Sequence, residues 1–270
     1  MDCYFMKTEE IILNNFQLKY PLERLALLSD ILFLDIETTG FLTGSSSIYL
    51  IGCAYYEDGN WKLRQWFAQT PDEESEILSA FLAFAEPYSY LIHYNGNTFD
   101  LPFLRKKADK YGISYTLSSK KGLDIFRRIT PYKNFLKLPD CKLKTIESFL
   151  GIHREDIYTG GQLIQVYHDY TSSHDYDLYH TLILHNADDM KGMLETLPIL
   201  SYYDLFNCSI KASKAQTNYY NDMHGVPRKE LIIRLIFVPC RLQSASWERD
   251  VISKPKATKE PWLFRFMKKN

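Results

Sequence analysis

Ile31-Leu32-Phe33-Leu34-Asp35-Ile36-Glu37-Thr38-Thr39-Gly40 is a short apolar run that changes abruptly into acids, threonines and a glycine. An apolar run bounded by turn residues predicts a buried strand. Residues two apart on a strand project from one face, so Asp35 and Glu37 point the same way at the end of a strand whose earlier residues are core. Two carboxylates that close repel unless something positive lies between them. A hard divalent cation such as Mg²⁺, which takes oxygen ligands, is the simplest such object. On this stretch alone the other reading stays open, in which Asp35 caps a turn and Glu37 is solvated.

Two further segments carry acids in a comparable setting. Leu91 to Tyr94 reads as a second buried strand and Asn95-Gly96-Asn97 as a turn. Asp100 then stands where a helix begins, with Pro102 inside its first turn. An Asp in that place is an ordinary N-cap, and cap and metal ligand are compatible roles. From Leu182 to Leu200 apolar residues recur at helical spacing (Ile183, Ala187, Met190, Met193, Leu194, Leu197), and Pro198 marks the end. Residues four apart share a helix face. His185 and Asp189 therefore sit together while Asp188 points elsewhere. In isolation such a pair is a common surface arrangement, and it gains meaning from the other two segments.

Taken in order, Asp-x-Glu-Thr-Thr-Gly, His-Tyr-Asn-Gly-x-x-Phe-Asp-x-Pro and His-Asn-x-x-Asp-x-x-x-Met resemble the motifs of the DEDD 3′–5′ exonuclease superfamily with the ribonuclease H-like fold. Within it the chain is most similar to the YprB-like ribonuclease H-like domain. Leu123-Asp124-Ile125, the stretch from Cys141 to Ile152, and Arg154, Asp156 and Gly160-Gly161 resemble that family's connecting segments. The resemblance runs from about residue 28 to about residue 205. It implies a two-metal nuclease holding two divalent ions, Mg²⁺ or Mn²⁺. By that similarity Asp35 bridges both ions, Glu37 and Asp189 complete the site of the water-activating ion, and Asp100 serves the second ion directly or through its water shell. His185 then orients or deprotonates the attacking water, a task that an imidazole with an ordinary pKa of about 6.5 suits. One departure from the superfamily is plain. Its base is a Tyr four residues before the last Asp or a His five residues before it, whereas here a His occupies the tyrosine spacing, as in other YprB-like members.

At 270 residues and 46% hydrophobic the chain can bury one good-sized core with a small appendage. It is too short to hold a polymerase beside the nuclease. A net charge of −1 gives the whole molecule no field that attracts polyanions, so nucleic-acid binding must come from local patches. One candidate spans residues 105 to 144. There Arg105, Lys106, Lys107, Lys110, Lys120, Lys121, Arg127, Arg128, Lys133, Lys137, Lys142 and Lys144 are opposed only by Asp109, Asp124 and Asp140. Such cations neutralise phosphates and make binding salt-sensitive; a solvated helix face has the same composition. Tyr111, Tyr115, Phe126, Tyr132 and Phe135 lie among them, to stack on unpaired bases or to pack in the core. Five widely spaced cysteines without a Cys-x-x-Cys pair favour free thiols in a reducing cytoplasm. The first ten residues lack a signal-peptide layout, and no apolar run reaches the roughly 20 residues of a membrane span.

The pattern predicts an α/β fold: a ribonuclease H-like mixed β-sheet flanked by helices over residues 1–205, followed by a small C-terminal extension, 206–270. A leader to about residue 28 precedes the strand at 31–36. Ile48 to Tyr56 and Trp61 to Phe67 flank Asp58-Gly59 as a hairpin. A helix follows from about Asp72 to Pro87, then the strand at 90–94, the Asp100 helix, a short strand near Leu123 and helices to about 204. In the extension, residues 213–227 read as a polar loop, 231–238 as a strand, and 253–259 as a Lys/Pro-rich linker. The function expected is a metal-dependent exonuclease, 3′ to 5′, acting on single-stranded DNA or RNA. The alternatives are an idle nucleic-acid-binding or scaffold module, and a ribonuclease H-like endonuclease. Retention of all four acids argues against the first alternative, and the Asp-x-Glu strand against the second.

Overall fold

A computed structural model describes residues 6–154, 158, 160–207, 209–238 and 263–266. It divides into two compact units, Met1–Tyr203 and Asp204–Asn270. The first holds a six-stranded mixed sheet with β1 (Lys7–Leu13), β2 (Ile31–Thr38), β3 (Ile48–Glu57), β4 (Asn60–Phe67), β5 (Tyr90–His93) and β6 (Lys121–Asp124), in the order β1-β4-β3-β2-β5-β6. Strands β1 to β4 pair antiparallel, and β5 and β6 continue the sheet parallel to β2. This is the ribonuclease H-like arrangement that the sequence predicts. The hairpin between β3 and β4 turns at Asp58 and Gly59, both at positive φ (51° and 80°), the backbone that a two-residue turn needs to match the strand twist.

The apolar run of β2 is central and covered on both faces. Leu32, Leu34 and Ile36 pack toward α1 (Glu74–Ala85) and α2 (Asp100–Tyr111), meeting Ile77, Phe81, Phe103 and Leu104. Ile31 and Phe33 pack the other way. Beyond α3 (Ile125–Ile129), that face is covered by Ile146 of α4 (Leu143–Leu150) and by Ala187, Met190 and Met193 of α6 (Tyr176–Thr196). A third cluster joins Tyr49, Leu50 and Phe67 to Leu163, Tyr167 and Tyr170 of α5 (Gly160–Ser173). Strand alternation then carries Asp35 and Glu37 onto the face of Ile31 and Phe33, beneath α6.

The leader departs from the sequence expectation, because it contains β1, paired with β4 from Lys7↔Phe67 to Leu13↔Trp61. Its Glu9-Glu10-Ile11-Ile12 shows no alternation because an edge strand is held by its backbone pairing and by rim contacts. Tyr55 and Arg64 both donate to Glu10, and Tyr179 to Glu9. In the second unit, after α7 (Leu200–Asn207), the expected loop at 213–227 is instead mostly strand. β7 (Ser209–Asn221) pairs antiparallel with β8 (Pro227–Val238), which pairs with β9 (Leu263–Phe266). Every side chain described from Lys214 to Asn221 is exposed, so this part of β7 lacks the alternation that marks a half-buried strand. The linker expected at 253–259 lies outside the described residues. No helix among the described residues is long and apolar enough to cross a membrane.

The basic stretch is partly absorbed by the fold. Lys107, only 3% exposed, lies 3.0 Å from the Glu74 carboxylate, itself fully buried, and donates to the Ser46 carbonyl at 2.5 Å. Lys120 donates to the carbonyls of Glu86 and Tyr88, Arg128 to the Tyr203 hydroxyl, and Lys144 to the Tyr158 carbonyl. The aromatics are similarly engaged: Tyr111 donates to Glu74 and Tyr115 to the Leu101 carbonyl. Because Glu74 also accepts from the Ile48 amide, Lys107 is a structural cation. Lys107→Met should cost about 3–5 kcal/mol in urea unfolding by stranding a buried carboxylate. The double variant with Glu74→Leu should recover part of that loss, and an additive double variant would refute the pairing.

Candidate active site

Three elements bring the acids together. Asp35 and Glu37 end β2, Asp100 opens α2 after the turn that follows β5, and α6 crosses with His185 and Asp189. The tightest group is Glu37, His185 and Asp189, which each offer a ligand atom within 4.8 Å of the others. His185 Nε2 lies 3.5 Å from Glu37 Oε1 and 3.7 Å from Asp189 Oδ2, with the imidazole buried. Asp35 and Asp100 lie outside that trio but within its electrostatic reach. Burial pushes the Asp35 carboxyl well above the usual carboxylate range, and the charges of Asp100, Glu37 and Asp189 push it further. Burial likewise lifts Asp100 to about 7, against the lowering effect of its backbone hydrogen bonds. Oxygen and imidazole donors that crowd together yet cannot all ionise comfortably form a donor set suited to hard divalent ions.

Each of three acids has one oxygen fixed by the fold. Asp35 Oδ2 accepts from Asn186 Nδ2 at 2.9 Å, and Asn186 Oδ1 accepts from Gln65 Nε2 of β4 at 2.9 Å. Gln65 Nε2 also reaches the Ile183 carbonyl at 3.0 Å. Asn186 fits because the residue opposite Asp35 in β3 is Gly52, where a Cβ would stand 2.0 Å from Asn186 Oδ1. Asp100 Oδ1 accepts from the Ile36 amide at 3.1 Å, the N–H between the two β2 acids. The expected N-cap role is therefore corrected: Phe99 is the N-cap residue and no side chain caps α2, since the Asp100 carboxylate faces β2 instead. Asp189 Oδ1 accepts from Arg154 Nη2, whose Nη1 lies 3.1 Å from both oxygens of Glu147. Glu147 is 1% exposed and lies against Gly192 of α6, where a Cβ would come within 1.9 Å of it. That leaves Asp189 Oδ2 turned toward His185 and Glu37.

Gln65, Gly52 and Gly192 were given no part in the site by the sequence, Asn186 figured only as a motif position, and Glu147 and Arg154 only within connecting segments. The four-residue spacing that united His185 with Asp189 passed over Asn186, yet Asn186 and Asp189 are three apart and also neighbours on a helix. Nothing in the sequence marks Gly52 or Gln65, which reach the site only through the β2–β3 and β3–β4 pairings. Asp188 lines a small cleft with His153, Lys191 and Glu195.

A family model described as RNase_H_2, RNase_H superfamily, matches residues 32–198. Among solved structures the chain is similar to the family B DNA polymerase of the hyperthermophilic archaeon Pyrobaculum calidifontis. Their TM-score is 0.51 at 16% identity, over 63% of this chain and 24% of the polymerase. It also matches E. coli exonuclease I in complex with a 5cy-dA13 oligonucleotide, with a TM-score of 0.39 at 14% identity, over 77% of this chain and 54% of that one. The chain thus spans about a quarter of the polymerase and about half of the exonuclease. At such identities the polymerase likeness shows the fold alone. No curated protein matches the chain.

A carboxyl with a raised pKa binds its proton more tightly in the folded state, so its contribution to stability is present at low pH and lost as pH rises. For Asp100 the window runs from its ordinary value near 4 to about 7. In EDTA, the unfolding free energy of Asp100→Asn relative to the wild type should therefore grow steadily in the variant's favour between pH 4 and 7. A pH-independent difference would contradict the assignment.

Proposed function

The chain belongs to the RNase H superfamily, and from that footing we propose that it is a metal-dependent nuclease, a 3′–5′ exonuclease acting on single-stranded DNA or RNA. The observation that carries this reading is the meeting of Glu37, His185 and Asp189 ligand atoms within 4.8 Å, beside Asp35 and Asp100, whose burial disfavours their charged forms. Exonuclease rather than endonuclease action, and the polarity, rest on the resemblance to DEDD enzymes. The chemistry is assigned to residues 1–205, with the extension at 206–270 outside it.

Asp35, Glu37, Asp100 and Asp189 would hold two divalent ions, Mg²⁺ or Mn²⁺. Bound there, such ions supply Lewis-acid stabilisation of the attacking and leaving oxygens of an in-line displacement. The protein's own part is geometric and protolytic. Asn186 and the Ile36 amide hold one oxygen each of Asp35 and Asp100, leaving the other oxygen as a ligand of defined direction. Arg154 does the same for Asp189, so that its Oδ2 shares a space with Glu37 and His185 Nε2. A water in that space can pass its proton to His185 Nε2 as it attacks the phosphorus, and the 3′-oxygen of the preceding nucleotide leaves. Donors fixed before the reaction need no reorganisation during it.

With Mg²⁺ or Mn²⁺ and 5′-labelled single strands, duplexes and hybrids, the purified chain should give a ladder that shortens from the 3′ end, and Asp35→Asn should abolish it. Internal cuts would favour the endonuclease, and binding without cleavage the idle module. His185→Ala should lower kcat by about 10²–10⁴-fold. Unchanged hydrolysis by that variant from about pH 6 to 9 would remove His185 from the base role, since this range brackets the ordinary imidazole pKa.

A further inference from the structure

A cleft of about 470 Å³ opens between the first turns of α2 and the strands β5 and β6. It lies on the sheet face of α1 and α2, whereas Asp35 and Glu37 face α6. Its apolar walls come from Leu91, Leu101, Pro102 and Leu117, with Tyr115 beside them. Its polar groups include Arg105, Lys120 and Lys121, and no acid lines it. Arg105 and Lys121 are exposed, and neither forms an ion pair among the described residues. Within the cleft these two are the cations that the fold leaves uncommitted, since Lys120 already donates to two carbonyls.

His93 supplies a second, independent observation. It lines the cleft although it is only 1% exposed. Its Nδ1 accepts from the Gly96 amide at 3.2 Å, which places the proton of a neutral ring on Nε2. Asp124, 3.7 Å from Nδ1, is occupied by the amides of Asn95, Asn97 and Arg127. The ring makes no other hydrogen bond among the described residues, which leaves the Nε2–H available to a ligand. A ligand acceptor in the cleft would satisfy it.

We propose that this cleft binds a phosphorylated nucleoside, with the phosphate between Arg105 and Lys121, the base against Tyr115 and the apolar wall, and His93 Nε2–H donating to the base or sugar. The volume falls in the roughly 300–1,000 Å³ range of small-molecule sites, and inorganic phosphate would leave the apolar half unfilled. Paired cations and an aromatic ring beside apolar side chains match a phosphate joined to a planar base. The ligand is either a free mononucleotide or the phosphorylated end of a strand. The proposal does not depend on hydrolysis at the acid cluster.

Calorimetry on the full chain in EDTA tests it, with AMP, adenosine, inorganic phosphate and a 5′-phosphorylated dinucleotide as probes. AMP should bind saturably to the wild type and equally to Asp35→Asn, which separates this site from the acid cluster. Adenosine and phosphate should each bind more weakly than AMP, and R105A/K121A should weaken AMP by about tenfold or more, as loss of charge-assisted bonds implies. A dinucleotide that binds more tightly than AMP assigns the ligand to a strand end, and one that binds more weakly assigns it to the free nucleotide. No saturable AMP binding, or equal affinity in the wild type and in a folded R105A/K121A, overturns the proposal.

Discussion

Mutual repulsion among carboxylates gathered at the end of one buried strand is the constraint on which the rest of this structure depends. Asp35 and Glu37 share a face of β2 through strand geometry alone, and α2 and α6 add Asp100 and Asp189 to the same end. Burial compounds the cost, as the raised carboxyls of Asp35 and Asp100 show. An apolar strand end would have been simpler to fold. What this arrangement offers is a set of oxygens suited to a small, highly charged cation.

The surrounding architecture reads as the means of holding that set still. Each of three acids surrenders one oxygen to a group the fold has anchored: Asn186 backed by Gln65, the Ile36 amide, and Arg154 backed by Glu147. Two of these relays require a glycine at the point of closest approach, Gly52 for Asn186 and Gly192 for Glu147. Residues two strands away from the acids thereby decide where the acids point. Partners of this kind commonly change metal affinity or activity by about 10–100-fold when lost.

Legibility in the sequence followed the range of the interactions involved. Asp35 and Glu37 could be paired because a strand has period two, and His185 and Asp189 because a helix brings residues four apart together. For Asp100 the sequence left cap and ligand both open, because the Ile36 amide that claims its oxygen is 64 residues away. Gly52 and Gln65 carry no local signal, since only the β2–β3 and β3–β4 registers bring them to Asn186. Net charge over residues 105–144 could not separate Lys107, buried against Glu74, from Arg105 and Lys121 at an open cleft. Strand β1 was hidden in the leader because an edge strand held by backbone pairing needs no apolar alternation.

The claim at the centre of this account is that the acid cluster is a divalent-cation site, and Mn²⁺ titration of the chain by calorimetry or electron paramagnetic resonance tests it without any substrate. The account predicts saturable binding that releases protons at pH 7, because acids with raised pKa values must ionise to coordinate. It also predicts that binding is lost in Asp35→Asn and Glu37→Gln. Absence of saturable binding, or binding that survives both substitutions, would contradict it.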